Sequence, residues 1–213
     1  MNNACVFCDR VNFEEQLIHE NKDFYVIATL GQITDGGYVL IIPKEHISCM
    51  AALTSHFPGG QTSKLLDLTF RVNSALSLVY QQSSETHPYP VIIFEHGIVG
   101  QTIKHAHLHI LPMVIDLTPN IRADFPKADF EELEYAAHLQ ALYEDRPQPY
   151  LFWTTPKGRG MVCWNPPAPA QYLRLVTAEL LGRPERGNWR NMDPELDKRL
   201  WQETVRLLKP YFS

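Results

Sequence analysis

Two different periods of apolar and polar positions run along the chain, and the switches between them mark out its elements. Phe24 to Thr29 and Tyr38 to Pro43 are short β-rich apolar runs, the first preceded by the polar stretch 20–23 and the second by Gly36-Gly37. Both read as strands. From Ser63 to Gln82 the period lengthens. Leu65, Leu68, Val72, Leu76 and Val79 recur every three or four residues and predict one face of an amphipathic helix. Val91 to Phe94 and Ile103 to Leu111 return to strand character, joined by a turn that holds Gly97 and Gly100. Strands linked by short turns, with one long helix among them, predict an α+β fold on an antiparallel sheet.

The second half is broken by turns. Of the sixteen prolines, four precede residue 110 and twelve follow it, so the regular core belongs to the first half. Asp129 to Glu144 reads as a helix. Tyr150 to Thr154 and Met161 to Trp164 flank Pro156-Lys157-Gly158-Arg159-Gly160 as a hairpin. Pro169 to Leu181 has proline first and Gly182 after, the asymmetry of a helix. A last helix is expected from the cap Asp193, with Pro194 in its first position, to about Leu208. The expectation is therefore a domain over residues 1–118 and a mainly helical extension over 119–213 packed on it.

Composition narrows the setting. The 213 residues are 45% hydrophobic, enough for a real core, and the net charge of −5 argues against a nucleic-acid surface. No apolar run approaches the roughly 20 residues of a membrane span. The first residues lack the basic and apolar segments of a secretory signal. Four cysteines are too few for a disulfide scaffold, and two of them, Cys5 and Cys8, have a spacing that suggests metal or redox chemistry. A soluble cytoplasmic chain is expected. Cys49 and Cys163 have no such company and read as buried small residues.

Chemistry concentrates in one segment. Four of the nine histidines fall between His96 and His109, and three of them, His105, His107 and His109, alternate with Ala106, Leu108 and Ile110. On a strand the imidazoles share one face and the apolar residues the other. The apolar face anchors the strand, and the histidine face is held rigidly. Such a face suits metal binding. It equally suits a neutral imidazole acting as a nucleophile, at phosphorus through a phosphoramidate.

The string Gly100 to Pro112 resembles the signature of the histidine-triad (HIT) superfamily of nucleotide hydrolases and transferases, His-x-His-x-His followed by two apolar residues. Cys5-x-x-Cys8, the strand ending Pro43-Lys44-Glu45-His46, the long helix and the Gly-Gln-Thr approach occur in the same order as in that family. The resemblance spans about residues 4 to 118. It implies that His107 attacks the α-phosphorus of a nucleotide ester, anhydride or phosphoramidate, dinucleoside polyphosphates included, with its other ring nitrogen held by a backbone carbonyl. It implies that His109 contacts phosphoryl oxygens, with His105 beside them. Gln101 and Thr102 would hold phosphate or assist the leaving group, and no catalytic cofactor is needed. It further implies a structural zinc ion on Cys5, Cys8, His46 and His105, and a homodimer.

Several positions depart from the family pattern. The stretch 27–32 lacks the aspartate that binds ribose hydroxyls, Gly37-Tyr38 stands where Gly-His is common, and Glu95-His96 replaces an amide before the turn. Glu95 is a candidate substrate contact, repulsive to phosphate unless protonated or paired. Lys104 should point away from the histidine face. In the extension, 171–174 and 188–190 carry polar and aromatic residues able to reach a base or phosphate. Two other functions remain open: a metal-dependent hydrolase using the strand histidines, and a non-catalytic nucleotide-binding protein.

Overall fold

Eight antiparallel strands build a single sheet in the computed structural model, which describes residues 5–53, 60–80, 91–134 and 138–212. They are β1 (Leu17–Glu20), β2 (Phe24–Ala28), β3 (Val39–Pro43), β4 (Ile92–Gly97), β5 (Leu108–Leu111), β6 (Asp129–Leu133), β7 (Tyr150–Thr154) and β8 (Gly160–Trp164). Their order across the sheet is β1-β2-β3-β5-β4-β7-β8-β6. Among the described residues five α-helices accompany it: α1 (Gln61–Tyr80), α2 (Thr118–Asp124), α3 (His138–Asp145), α4 (Tyr172–Leu180) and α5 (Pro194–Leu208). No helix among the described residues is long and apolar enough to cross a membrane.

The alternation in β3 sorts the core into layers. Val39 and Ile41 face the same side as Val26 and Ile110, and there α1 lays down Leu68, Val72 and Leu76 while α5 adds Trp201 and Leu208. Leu40 and Ile42 face the other side with Phe94 and Trp153, where Ile121 of α2 and Leu173 and Val176 of α4 pack. Burying each such side chain contributes roughly 1.5–3 kcal/mol. The α+β antiparallel fold and the long helix are as expected; residues 81–82 of the predicted helix lie outside the described residues.

Three differences matter. The extension is rich in helices, as expected, but it also joins the sheet of the first half. Its strands β7, β8 and β6 continue the sheet, with Phe94 opposite Trp153 and Gly97 opposite Tyr150. Glycine is required at position 97, because a Cβ there would lie 2.3 Å from the Tyr150 ring. The second edge of β4 is thus taken, and β1 and β6 are the outer strands.

The expected helix from Asp129 to Glu144 is instead β6 followed by α3; residues 135–137 lie outside the described residues. Its acid-rich sequence disfavours a strand locally, but pairing with β8 overrides that preference. Arg146 pairs with Asp129, Arg159 with Glu132, and Trp164 Nε1 donates to Glu131. Charges on an outer strand also discourage edge-to-edge association.

Finally, β5 begins only at Leu108, where its ladder to β3 ends at Ile41. Residues 103–107 approach it without a ladder: His105 N–H bonds to the Ile103 carbonyl and Ala106 N–H to that of Ile47.

Glu95 is fully buried between the layers and faces away from the histidines. It accepts hydrogen bonds from the Tyr150 hydroxyl at 2.6 Å and from the Met50 N–H at 2.7 Å. Burial pushes its carboxyl up to about 7 despite both donors. The folded state therefore holds this proton at pH values where the unfolded chain has released it, and the contribution is lost as pH rises through about 7. Buried neutral histidines act in the opposite direction, since they cost stability as pH falls below their ordinary range. The difference between wild type and Glu95→Gln isolates the carboxyl. Denaturant unfolding at pH 5.5 and 8.5 should show wild type losing about 2 kcal/mol relative to the variant over that interval.

Candidate functional site

The histidine segment runs along the wall of a cleft whose lining includes His96, His107 and His109. Ala106, Leu108 and Ile110 point into the core beneath α1 and α5, as the alternation requires. All three triad histidines are buried, and each has one ring nitrogen committed by a neighbour.

Those neighbours determine the tautomers. His107 Nδ1 lies 2.7 Å from the His105 carbonyl, which can only accept, so Nδ1 carries the proton and Nε2 keeps its lone pair. The expected carbonyl partner is present. His105 Nε2 lies 2.8 Å from the Pro43 carbonyl and is likewise the protonated nitrogen, leaving Nδ1 as the donor atom. His96 Nε2 accepts the Leu173 N–H at 3.0 Å, so its Nδ1 bears the hydrogen.

For His109 the deciding neighbour is Tyr38. The two meet at 2.6 Å through Nδ1. Tyr38 is fully buried, and burial pushes its phenol up to about 12, so it keeps its proton. That O–H needs an acceptor, and stranding it would cost about 1–3 kcal/mol. Tyr38 therefore donates to Nδ1, and His109 Nε2 is an N–H. This nitrogen is buried and has no hydrogen-bond partner among the described residues. The His109 ring is held by Phe94, stacked at 4.6 Å and 16°.

Burial keeps these imidazoles neutral. It lowers His107 to about 4, with the nearby His105 and Arg174 adding to the effect and the His105 carbonyl opposing it. His96 falls to about 3 through burial, then His107 and Arg174. His109 is also pushed well below its ordinary value, again mainly by burial. A neutral imidazole with a free Nε2, beside a second that can only donate, can attack an electrophile while its neighbour steadies developing negative charge.

The other expected residues divide. Gln101 and Thr102 line the cleft, with Gln101 Nε2 bonded to the Ser48 carbonyl at 2.7 Å. Glu95 does not reach it. Strand alternation sends Glu95 to the opposite face and brings His96 in. The register could have revealed this, since Phe94 pairs with His109 and residues 94 and 96 share a face. Lys104 is exposed, and Cys49 and Cys163 are buried, as expected. From the extension, Gln171, Arg174 and Trp189 line the cleft. Phe7, Phe13, Ile27 and Leu40 form its apolar side, and no carboxylate occurs among the described lining residues.

Beside the cleft, Cys5, Cys8, His46 and His105 place their donor atoms within 4.8 Å of one another. Cys8 Sγ lies 3.1 Å from His46 Nδ1, and Cys5 Sγ 3.4 Å from His105 Nδ1. A tetrahedral ion bound at about 2.0–2.3 Å separates its ligand atoms by roughly 3.3–3.8 Å. The set could close on a metal with little movement. The Pro43 carbonyl orients His105 for that role, the usual outer-shell arrangement for a ligating imidazole.

Residues 10–114 match the family model described as the HIT domain. An adenosine 5'-monophosphoramidase of Candida albicans is 26% identical over 111 residues, covering 51% of this chain and 70% of that protein. Among solved structures, a protein of Streptococcus mutans UA159 is 26% identical, with coverage of 53% and 67% and a TM-score of 0.42. A zinc-bound histidine triad family protein of Mycobacterium smegmatis is 25% identical, with coverage of 52% and 75% and a TM-score of 0.37. The family match begins after Cys5 and Cys8 and ends before the extension.

The four-donor set predicts one tightly held divalent ion per chain. Elemental analysis of protein loaded with excess zinc and desalted should read close to one equivalent in wild type. It should fall well below half in Cys8→Ala or His46→Ala, and a chelator should lower the melting temperature of wild type but not of those variants.

Proposed function

Residues 10–114 form a HIT domain and the chain is a hydrolase of that family, and from this premise we propose that it cleaves a nucleotide at phosphorus through a covalent intermediate on His107. The observation that carries the reading is the tautomer of His107, whose Nδ1 proton is spent on the His105 carbonyl so that Nε2 opens on the cleft as a lone pair. His107 Nε2 attacks the α-phosphorus, and the bond from phosphorus to the leaving group breaks. The leaving group departs with the bonding pair and takes up a proton from water in the cleft, leaving a nucleotidyl phosphoramidate on His107. A water then attacks the same phosphorus and gives its proton to solvent, the P–N bond breaks with its electron pair returning to His107 Nε2, and the nucleoside monophosphate leaves.

The neighbouring groups fit that sequence. His109 Nε2–H has no acceptor among the described residues and would donate to a non-bridging oxygen as charge builds there. Gln101 and Thr102 stand where they can contact the phosphate or the departing group. The apolar side at Phe7, Phe13 and Ile27 suits a planar base. Phosphoramidates, esters and anhydrides such as dinucleoside polyphosphates are the substrate classes, and the Candida albicans relative's description as a monophosphoramidase favours testing the first.

The zinc reading rests on the two thiols and two imidazoles whose donor atoms lie within 4.8 Å of one another. Zinc there would be structural, since four protein donors leave no open position, and would clamp the amino-terminal segment to the catalytic one. Commitment of His105 to that set, away from His107 and His109, speaks against a catalytic metal on the three strand histidines. Should copies of the chain associate, they would do so without β4, whose edges are both paired.

Rapid quenching of the enzyme with α-³²P-labelled adenosine 5'-phosphoramidate should leave acid-labile, base-stable label on His107. His107→Asn should lose label and lower kcat at least about 10³-fold with melting temperature and metal content unchanged. Full turnover by His107→Asn would sink the covalent mechanism.

A further inference from the structure

The extension does more than lengthen the sheet. The first turn of α4 is tied directly to the cleft, with Gln171 N–H bonded to the Gly100 carbonyl at 2.8 Å and Leu173 N–H to His96 Nε2. The next residue, Arg174, reaches into the cleft and is only 4% exposed. Its Nη2 donates to the Gly31 carbonyl at 2.8 Å and its Nε to the Gly187 carbonyl at 3.2 Å, while the guanidinium lies 5.1 Å from the centre of the Tyr38 ring. Gly31 is shaped to this contact, since a Cβ there would lie 2.6 Å from Nη2.

Every one of these partners is formally neutral. Arg10, Arg146, Arg159, Arg183, Arg186 and Arg206 all have a carboxylate within ion-pair distance. Among the described residues Arg174 has none. Asp197, whose carboxylate holds the same Gly31 turn, spends its oxygens on the Gly31 and Gln32 N–H groups. A buried charge without a counter-ion is costly. The protein retains one here, and among the described lining residues it is the only formally charged one in a cleft whose histidines are neutral. Two of its five N–H groups are committed to those carbonyls, which leaves donors for another acceptor. On the same wall, His109 Nε2–H also lacks an acceptor. A cation and an unmet donor facing one space call for an anion with several oxygens.

We propose that Arg174, supplied by the extension, is the anion anchor of this cleft and binds a phosphate oxygen of the substrate. The proposal deepens the nucleotide reading above and rests on it for the identity of the ligand. It makes the catalytic unit span both halves of the chain. Residues 1–118 alone would hold the nucleophile without the charge that recruits its target.

Calorimetry on the full-length protein tests this with four nucleosides, their 5'-monophosphates and inorganic pyrophosphate as probes. Wild type should bind at least one monophosphate tens of times more tightly than its nucleoside. Arg174→Gln, which removes the charge but keeps an amide donor, should cut that preference to a few-fold and leave the nucleoside affinity within about twofold. Arg174→Lys should recover part of it.

A folded Arg174→Gln that keeps the full preference overturns the proposal. If Arg174→Gln does not fold, the Arg174 Nε–H resonance in wild type replaces it, shifting with the monophosphate but not the nucleoside; an unmoved resonance overturns it equally. Pyrophosphate separates the two readings. Should no nucleotide bind while pyrophosphate binds in an Arg174-dependent way, the nucleotide reading fails and the anion site stands. Should wild type bind no phosphate compound at all, both fall.

Discussion

A single hydrogen bond, 2.7 Å from His107 Nδ1 to the carbonyl two residues back, decides what the cleft can do. An imidazole has two interchangeable nitrogens, and chemistry requires that they be told apart. The carbonyl takes the proton on one side and leaves the lone pair on the other. That carbonyl is available because residues 103–107 run beside the sheet without joining its ladder, so the His105 oxygen is not consumed by a strand partner. The shortened β5 is therefore part of the device. A strand continued back to Ile103 would bring that oxygen into competition with a ladder bond.

The same economy repeats around the cleft. Each imidazole gives one nitrogen to a fixed neighbour: the Pro43 carbonyl, which can only accept, for His105; the Leu173 N–H, which can only donate, for His96; and the Tyr38 phenol, whose buried O–H needs an acceptor, for His109. Burying neutral imidazoles costs desolvation, and these bonds offset much of it. What stays unsatisfied is the Nε2–H of His109 and the charge of Arg174, both directed at one space. Selective incompleteness of this kind in a well-satisfied interior marks where a ligand belongs.

Much of this was legible in the residues. Period-two alternation placed the histidines opposite Ala106, Leu108 and Ile110, and period-3.6 spacing located α1. The donor types and spacings marked Cys5, Cys8, His46 and His105 as a group. The errors share a cause, which is that pairing between distant segments cannot be read locally. Asp129 to Leu133 has poor strand character and becomes a strand because β8 offers it an edge and Arg146 and Arg159 offer it charges. Glu95 reads as a candidate substrate contact from the residues alone because its register against β5 is not local information, and one residue's shift along a strand reverses its face. Tyr38 and Arg174 carry no motif at all. Their meaning comes from packing, one against His109 and the other against Gly31.

The extension gains its place in the architecture through β4. Strand β4 is flanked by β5 on one side and β7 on the other, so the histidine segment and the last hundred residues share a structural neighbour. The chain then crosses back, and Gln171 and Leu173 bond to the glycine turn and to His96 at the end of that strand. On the far side of the cleft, Asp197 of α5 clamps the 31–32 turn, and Thr204 receives the Gly37 N–H next to Tyr38. The loop that precedes β3 is thus held by the carboxyl-terminal helix as well as by its own Gln32 side chain, which bonds the Thr29 and Tyr38 backbone. Its positive-φ glycines leave backbone groups exposed for capture, and α5 supplies the oxygens. Geometry at His109 then depends on Tyr38, Tyr38 on this loop, and the loop on α5, which links the far end of the chain to the nitrogen that faces the substrate.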